Sequence, residues 1–228
     1  MKFEKAAIAL VCGIISVLFS SVPSHAAITT AVLTDDAQTD SDDPSTAQSH
    51  TGNLNFGQGA SRDQDVYFMF DVSGIGANTS INTATLTVRT RNDVNTTVTI
   101  EIFALTDDSW DESTLTHNIG AALTTGPSQG TASLEPFGAG TSQLDALDVT
   151  SFVQNQVNLS DLVVGFKLTT TGGISPGGFL RSKEHGTQTE HPWLSLVIDS
   201  EPIPEPSAVS ALALAGAALL SRRRTSRR

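Results

Sequence analysis

The chain has 228 residues, 24 acidic and 13 basic side chains, a formal net charge of −11 and one cysteine. The middle of the chain, residues 27–200, holds 21 of the acidic and six of the basic side chains, so its net charge is about −15. This charge excludes sequence-independent binding to nucleic acid, which needs a basic surface against the phosphates. Because Cys12 lies near the N-terminus, the middle has neither disulfides nor thiol chemistry.

Residues 1–26 have the organisation of a secretory signal peptide. Lys2 and Lys5 give a positive start, residues 6–19 form an apolar run, and Ala26 ends a short stretch of small residues. A helix made from that run would span about 21 Å, less than the roughly 30 Å core of a bilayer. We therefore predict cleavage by signal peptidase after Ala26, or after Ala27, with a permanent N-terminal anchor as the alternative.

An acidic segment follows the first residues of the predicted mature protein. Its five carboxylates lie within nine residues: Asp35, Asp36, Asp40, Asp42 and Asp43. We predict a long surface loop over residues 35–53, because the segment is polar and acidic. Carboxylate oxygens are the ligands that calcium prefers, so these five residues are candidate calcium ligands, although their spacing is not that of an EF-hand. A solvated acidic loop without an ion is the alternative.

Residues 27–200 are predicted to form one all-β domain, a β-sandwich or jelly roll. Apolar and polar side chains alternate in several segments, namely 65–73, 84–90, 97–105, 162–168 and 194–198. This alternation is typical of antiparallel strands with one buried and one solvated face. Glycine, serine, asparagine and aspartate cluster between these segments, as turns require. The one predicted helix is short and covers residues 151–157.

Four residues are candidate contacts for a sugar ligand. Trp110 and Trp193 offer aromatic rings, and Arg89 and Arg91 lie on the polar side of their predicted strand, where a guanidinium can meet a carboxylate. Trp193 is out of phase with the apolar residues that follow it, so it either points outward as a binding platform or is covered by the preceding loop. Core packing is the alternative for Trp110, and local charge pairing is the alternative for the arginines.

Catalytic patterns are scarce. The sequence has no nucleophile elbow, zinc-protease motif or phosphate-binding glycine loop. His185 and His191 each follow a glutamate, but the glycine and proline around them indicate a solvated loop between two strands rather than metal ligands. The carboxylate pairs at 107–108 and 111–112 would serve glycoside hydrolysis only if two of them converged at a suitable distance. We predict that the protein is not an enzyme.

The last 28 residues, 201–228, combine three features in order. Pro204, Glu205 and Pro206 are followed by the apolar residues 207–221 and by a cluster of arginines. This order resembles the PEP-CTERM sorting signal of Gram-negative bacteria. The resemblance implies recognition and tail removal by a membrane exosortase, transient insertion of a short helix into the inner membrane, and delivery to the cell surface or extracellular matrix. An ordinary tail anchor is the alternative.

Several motifs of the middle also occur in a known order: NFG at 55–57, VYFMFDVS at 66–73, INTATL at 81–86, WDESTLTHN at 110–118, DVT at 148–150, FLRSKE at 179–184 and PWL at 192–194. Together they resemble the DNRLRE domain, a secreted β-sandwich module found beside polysaccharide-degrading enzymes. The resemblance implies polysaccharide as the partner, and some members of that family recognise alginate. His117 stands where the family usually has tryptophan, and Trp193 stands where it usually has a basic residue.

Together these observations predict an exported protein with a non-catalytic, polysaccharide-binding β-sandwich. Two other function classes remain: a structural surface or matrix protein without a glycan site, and a polysaccharide lyase or hydrolase. Exposed aromatic and basic residues on one sheet face would favour binding, whereas converging carboxylates in a groove would favour an enzyme.

Overall fold

The computed structural model describes residues 26–48, 52–58, 62–76, 79–91, 97–134, 143–171 and 178–199. The predicted signal peptide before Ala26 and the predicted sorting signal at 201–228 lie outside the described residues. In the described part, no helix has both the length and the apolar character needed to cross a membrane. Ala27–Asp199 form a compact unit.

The described residues form twelve strands and two α-helices. The strands are β1 (Ala26–Gln38), β2 (Asn53–Asn55), β3 (Gly57–Gln58), β4 (Asp63–Gln64), β5 (Val66–Asp71), β6 (Ile81–Arg91), β7 (Val98–Leu105), β8 (Thr125–Leu134), β9 (Gln143–Asp148), β10 (Val163–Thr171), β11 (Phe179–Arg181) and β12 (Trp193–Asp199). The helices are α1 (His117–Ala122) and α2 (Thr150–Asn158), and a 3-10 turn covers Gln188–Glu190. The prediction of an all-β fold is confirmed.

The strands form two layers that share β1. The hydrogen-bonded order is β2-β11-β6-β12-β1-β5-β10-β7-β8, and β9 also pairs with β6. Residues 81–87 of β6 pair with β12, and residues 90–91 pair with β11. Strand β9 therefore pairs with the other edge of β6. Strands β3 and β4 form a separate small ribbon.

One large apolar cluster fills the space between the layers, as the alternating pattern predicts. The inward residues of β5 and β7 belong to it, and so do those of β6, β10 and β12: Val66, Phe68, Phe70, Ile100, Ile102, Leu86, Val88, Phe166, Leu168, Leu194 and Leu196. Helix α2 confirms the predicted helix and adds Phe152, whose ring packs edge-on against that of Phe166 at 5.6 Å between centroids.

The expectation of one buried and one solvated face is wrong for β5. Tyr67 and Met69 point away from the main cluster, yet they are buried in a second apolar cluster with Trp110, Leu115 and other residues. The segment 106–124, which includes α1, covers this outer face. Both clusters lie within Ala27–Asp199, so this unit has its own core and we expect it to fold as an independent domain.

The predicted surface loop over residues 35–53 is wrong at both ends. Strand β1 continues to Gln38, and β2 begins at Asn53. The register of β1 against β5 shifts between Leu33 and Asp35, which indicates a β-bulge. Because side chains alternate along a strand, this shift places both Leu33 and Asp36 opposite inward-facing residues of β5, and Asp36 is fully buried.

Candidate functional site

Trp193 is the first residue of β12 and lies opposite Thr87 of β6 in the sheet register. Its side chain is half-buried and lines a groove of about 560 Å³. Residues 30–33 of β1 form one wall of this groove, and the loop between β11 and β12 forms the other. Trp193 therefore borders open space and is also bordered by the preceding loop, so each of the two predicted arrangements is correct in part.

The loop that forms this wall, residues 182–192, is held by its own polar groups. The backbone N–H of His185 donates to the carbonyl of Ser182 at 3.1 Å, and the backbone N–H of Glu190 donates to that of Thr187 at 2.9 Å. The Nε2 atom of His191 donates to the carbonyl oxygen of His185 at 2.7 Å, because a carbonyl can only accept. The two histidines thus brace the loop. This agrees with the prediction of a loop between two strands, although both histidines are half-buried.

A charge cluster lies at the start of the same loop. The ammonium group of Lys183 forms ion pairs with Glu112 and with Glu184, the latter at 2.7 Å, and the backbone N–H of Lys183 donates to the buried carboxylate of Asp36 at 2.7 Å. Oxygen atoms of Asp36, Glu112 and Glu184 all lie within 4.8 Å of one another. Such a set of oxygens suits a divalent cation, but the ammonium of Lys183 already supplies positive charge there.

The pKa values in this cluster reflect the ion pairs. Burial lowers the pKa of Lys183, but the hydrogen bonds of its ammonium to Glu112 and Glu184 outweigh burial and raise the pKa well above its usual value. Burial raises the pKa of Glu184, but hydrogen bonds from Lys183 and Ser182 outweigh burial and hold the pKa below its usual value. Both shifts favour the charged forms, so Lys183 and Glu184 stay charged at neutral pH.

This cluster could not be inferred from spacing. Asp36 and Glu112 are 76 residues apart in the chain, and Lys183 is 71 residues beyond Glu112. The sequence contained one signal, because Glu112 and the pair Lys183-Glu184 belong to the motifs that resemble the DNRLRE domain. Nothing else in the local sequence distinguishes Glu112, Lys183 and Glu184 from the other acidic and basic residues of the chain.

The five candidate calcium ligands are not brought together. Asp35 and Asp36 are adjacent residues of a strand, so their side chains leave on opposite sides. One oxygen of Asp35 accepts the backbone N–H of Glu112 at 3.3 Å, whereas Asp36 accepts that of Lys183. Asp43 is exposed.

The other two of these aspartates lie beside Arg62. The guanidinium of Arg62 donates to both oxygens of the buried Asp40, and its Nε atom lies 3.8 Å from Asp42. The hydrogen bond from Arg62 lowers the pKa of Asp40, and it outweighs burial, which raises that pKa. The positive charge that the acidic segment needs therefore comes in part from an arginine 22 residues later.

Trp110 is a core residue of the second apolar cluster. It is 5% exposed, and its ring packs edge-on against that of Tyr67 with 5.9 Å between centroids. This burial favours the alternative of core packing for Trp110 over a sugar contact. The reason is long-range: the segment 106–124 folds over the outer face of β5, which local alternation cannot reveal.

Of the two candidate arginines on β6, the structure describes the side chain of Arg89, whereas that of Arg91 lies outside the described part. Arg89 is half-buried and has an interaction partner, and Arg91 lies opposite Phe179 in the sheet register. Arg181 of β11, which the sequence analysis did not single out, donates to the side-chain oxygen of Asn53 at 2.6 Å and lies 3.0 Å from Glu190. Its alternation with the buried Leu180 was the signal that placed it on the outer face.

Two of the four carboxylates considered for hydrolysis, Asp107 and Asp111, serve as turn caps. Asp107 accepts both the backbone N–H and the hydroxyl of Ser109, and Asp111 does the same for Ser113. These hydrogen bonds hold the pKa values of Asp107 and Asp111 below the usual range. A general acid needs a raised pKa, so this environment does not favour acid catalysis by either residue.

Comparison with known proteins agrees with this geometry. Residues 27–197, nearly the whole β-sandwich, match carbohydrate-binding module family 96. No curated protein matches the chain. Modules of this kind are typically non-catalytic and take polysaccharide as their partner. Because this match covers more than half of the chain, the chain belongs to carbohydrate-binding module family 96.

Proposed function

We propose that this protein is an exported surface or matrix protein whose sandwich binds polysaccharide, without catalysis, in the groove beside Trp193. The observation that carries the proposal is the position of Trp193, which lines an open groove while Trp110 is fully packed. An aromatic ring that borders solvent offers a flat apolar surface against which the face of a sugar ring can stack.

The rest of the groove suits a hydroxylated ligand. Thr30, Gln188 and Thr189 place hydroxyl and amide groups along its walls, and His191 adds an imidazole. These side chains donate and accept hydrogen bonds, which is what the hydroxyl groups of a sugar require. The groove lies on a rigid frame, because β1 and β12 are both internal strands of the sheet.

Export and processing belong to the same proposal. Cleavage by signal peptidase after Ala26 leaves the sandwich as the mature N-terminal domain, and exosortase removes the tail that follows Pro204-Glu205-Pro206. Polysaccharide is abundant at the cell surface and in the extracellular matrix, where such processing delivers the protein. The support is the order of features in the sequence together with membership of a carbohydrate-binding family.

The first experiment is a binding assay with residues 27–200 against neutral and anionic polysaccharides, with calcium and with chelator. We expect saturable binding to at least one polysaccharide, and a loss of more than tenfold in affinity in Trp193→Ala. Leu162→Ala is the matched control, because Leu162 is an exposed apolar residue that does not line the groove. Absence of binding under both conditions would overturn the proposal and favour a purely structural role.

A further inference from the structure

We infer that the groove beside Trp193 selects uncharged polysaccharide and discriminates against polyuronates. The inference rests on the proposed function and adds the chemical class of the ligand. The domain is strongly acidic, because residues 27–200 hold six basic and 21 acidic side chains. A domain with this charge repels a polyanion unless free cations gather at the binding site.

The structure describes the side chains of five of the six basic residues, all except Arg91, and these five are already engaged. Four of the six form ion pairs: Arg62 with Asp40 and Asp42, Lys167 with Asp65, Arg181 with Glu190, and Lys183 with Glu112 and Glu184. Arg89 has a partner as well. Most of the positive charge that could attract a polyuronate is therefore already paired with carboxylates of the domain itself.

The charge distribution is least favourable for a polyuronate at the groove itself. Lys183 is the basic residue among those that line it, and three carboxylates surround Lys183: Asp36, Glu112 and Glu184. A uronate that approached this ammonium would have to displace a carboxylate that is already bound, and it would meet the negative charge of the others. Removing one partner from such a pair leaves an uncompensated charge, so the exchange is unfavourable.

An uncharged polysaccharide meets none of these costs. The wall residues Thr30, Gln188 and Thr189 are neutral, and the ring of Trp193 needs only the apolar face of a sugar. Hydrogen bonds and stacking then supply the affinity, and neither depends strongly on ionic strength, whereas attraction between exposed charges is screened by salt.

The test is calorimetric titration of residues 27–200 with uncharged glucan, mannan and arabinan and with polymannuronate and polygalacturonate. Each titration is run at low and high salt, with calcium and with chelator. We expect at least one uncharged polysaccharide to bind more than tenfold tighter than either polyuronate, with little change between the two salt concentrations. Tighter binding of a polyuronate under any of these conditions overturns the inference but leaves the proposed function intact. Absence of binding to every polysaccharide overturns the proposed function itself.

A pair of charge variants tests the electrostatic cause. Glu184→Gln and Glu101→Gln each remove one negative charge, but only the first weakens the neutralisation of Lys183, because Glu101 lies on β7 and does not line the groove. We expect Glu184→Gln to increase affinity for polyuronate several-fold over Glu101→Gln, without loss of affinity for the uncharged ligand. Equal polyuronate affinities in the two variants would contradict the assigned role of the Lys183 cluster.

Discussion

The outer faces of the two layers of the sandwich differ in what covers them. One of the two tryptophans of the chain lies at each of these faces. The segment 106–124 covers the outer face of β5 with apolar side chains, and Trp110 packs there against Tyr67. The loop 182–192 borders Trp193 with polar and charged groups and leaves a groove. An apolar cover closes a face, whereas a polar wall leaves it available to a ligand.

This difference has an energetic consequence. Apolar burial under the segment 106–124 is independent of pH, and it stabilises in proportion to the area removed from water. The groove wall is held by ion pairs of Lys183 whose strength depends on the charge of each partner. Variants on the two faces should therefore differ in their effect on stability, in their effect on binding and in their pH dependence.

Trp110→Ala should give the largest effect. Removing this ring leaves a cavity beside Tyr67, and we expect a loss of about 3–5 kcal/mol in the free energy of unfolding. Trp193→Ala should cost about 1 kcal/mol, because Trp193 is only half-buried and already borders the groove. Urea denaturation of residues 27–200 measures both values. Equal losses in the two variants would contradict the distinction between the two faces.

Lys183→Met should be next. It leaves the buried Asp36 and the half-buried Glu112 beside Glu184 without the ammonium, and we expect a loss of about 2 kcal/mol at neutral pH. The folded-state pKa of Glu184 is lowered, so its stabilising contribution is present above its ordinary value of 4.5 and is lost as pH falls through the folded value.

The pH profile of this variant provides the check. The pKa of Lys183 is raised, so its contribution is present below 10.5 and is lost only at still higher pH. The difference in unfolding free energy between Lys183→Met and the parent should therefore be largest near neutral pH and should shrink below about pH 4. In Trp110→Phe, which changes only the apolar cover, the difference from the parent should not vary with pH. A pH-independent loss in Lys183→Met would argue against the ion pairs as the cause.

Gly120→Ala should have a smaller effect than Lys183→Met. A Cβ atom at Gly120 would lie 2.7 Å from the hydroxyl oxygen of Tyr67, so the segment 106–124 must shift to make room. Alanine itself favours the helix α1, which offsets part of this cost. We expect a net loss of about 1 kcal/mol in stability, with unchanged glycan affinity. Gly74→Ala is the control, because nothing lies within 4 Å of a Cβ there. A loss in Gly120→Ala no greater than in the control would mean that the cover is loosely packed.

Much of the fold follows from local sequence. Alternation correctly predicts the inward faces of β5, β6 and β7, because side chains along a strand point alternately to its two sides and one side of each of these strands faces the core. The short helix after Asp148 is also correct, and its first residue explains why: the Thr150 hydroxyl accepts the backbone N–H of Ala84 and binds Asp148. The inward faces depend on residues that share one strand, and the bond between Thr150 and Asp148 joins residues two positions apart. The bond to Ala84 spans 66 residues and was not part of the prediction.

The features that sequence missed depend on long-range contacts. The burial of Tyr67 and Met69 results from the segment 106–124, and the burial of Asp36 results from a bulge and from the N–H of Lys183. No periodicity in β1 or β5 encodes these partners, since they come from segments about 40 to 150 residues away in the chain. The same limit applies to the candidate site. Local sequence allows Trp193 to point outward or to be covered, and its surroundings depend on the path of the loop 182–192.

The most direct test of the account uses the fluorescence of the two tryptophans. In residues 27–200, Trp110→Phe leaves Trp193 as the sole emitter, and Trp193→Phe leaves Trp110. Without ligand, acrylamide should quench Trp193 more strongly than Trp110, because Trp110 is only 5% exposed. A saturating polysaccharide should protect Trp193 from quenching and leave Trp110 unchanged. Protection of Trp110 with no change at Trp193 would contradict the central claim that the groove beside Trp193 holds the ligand.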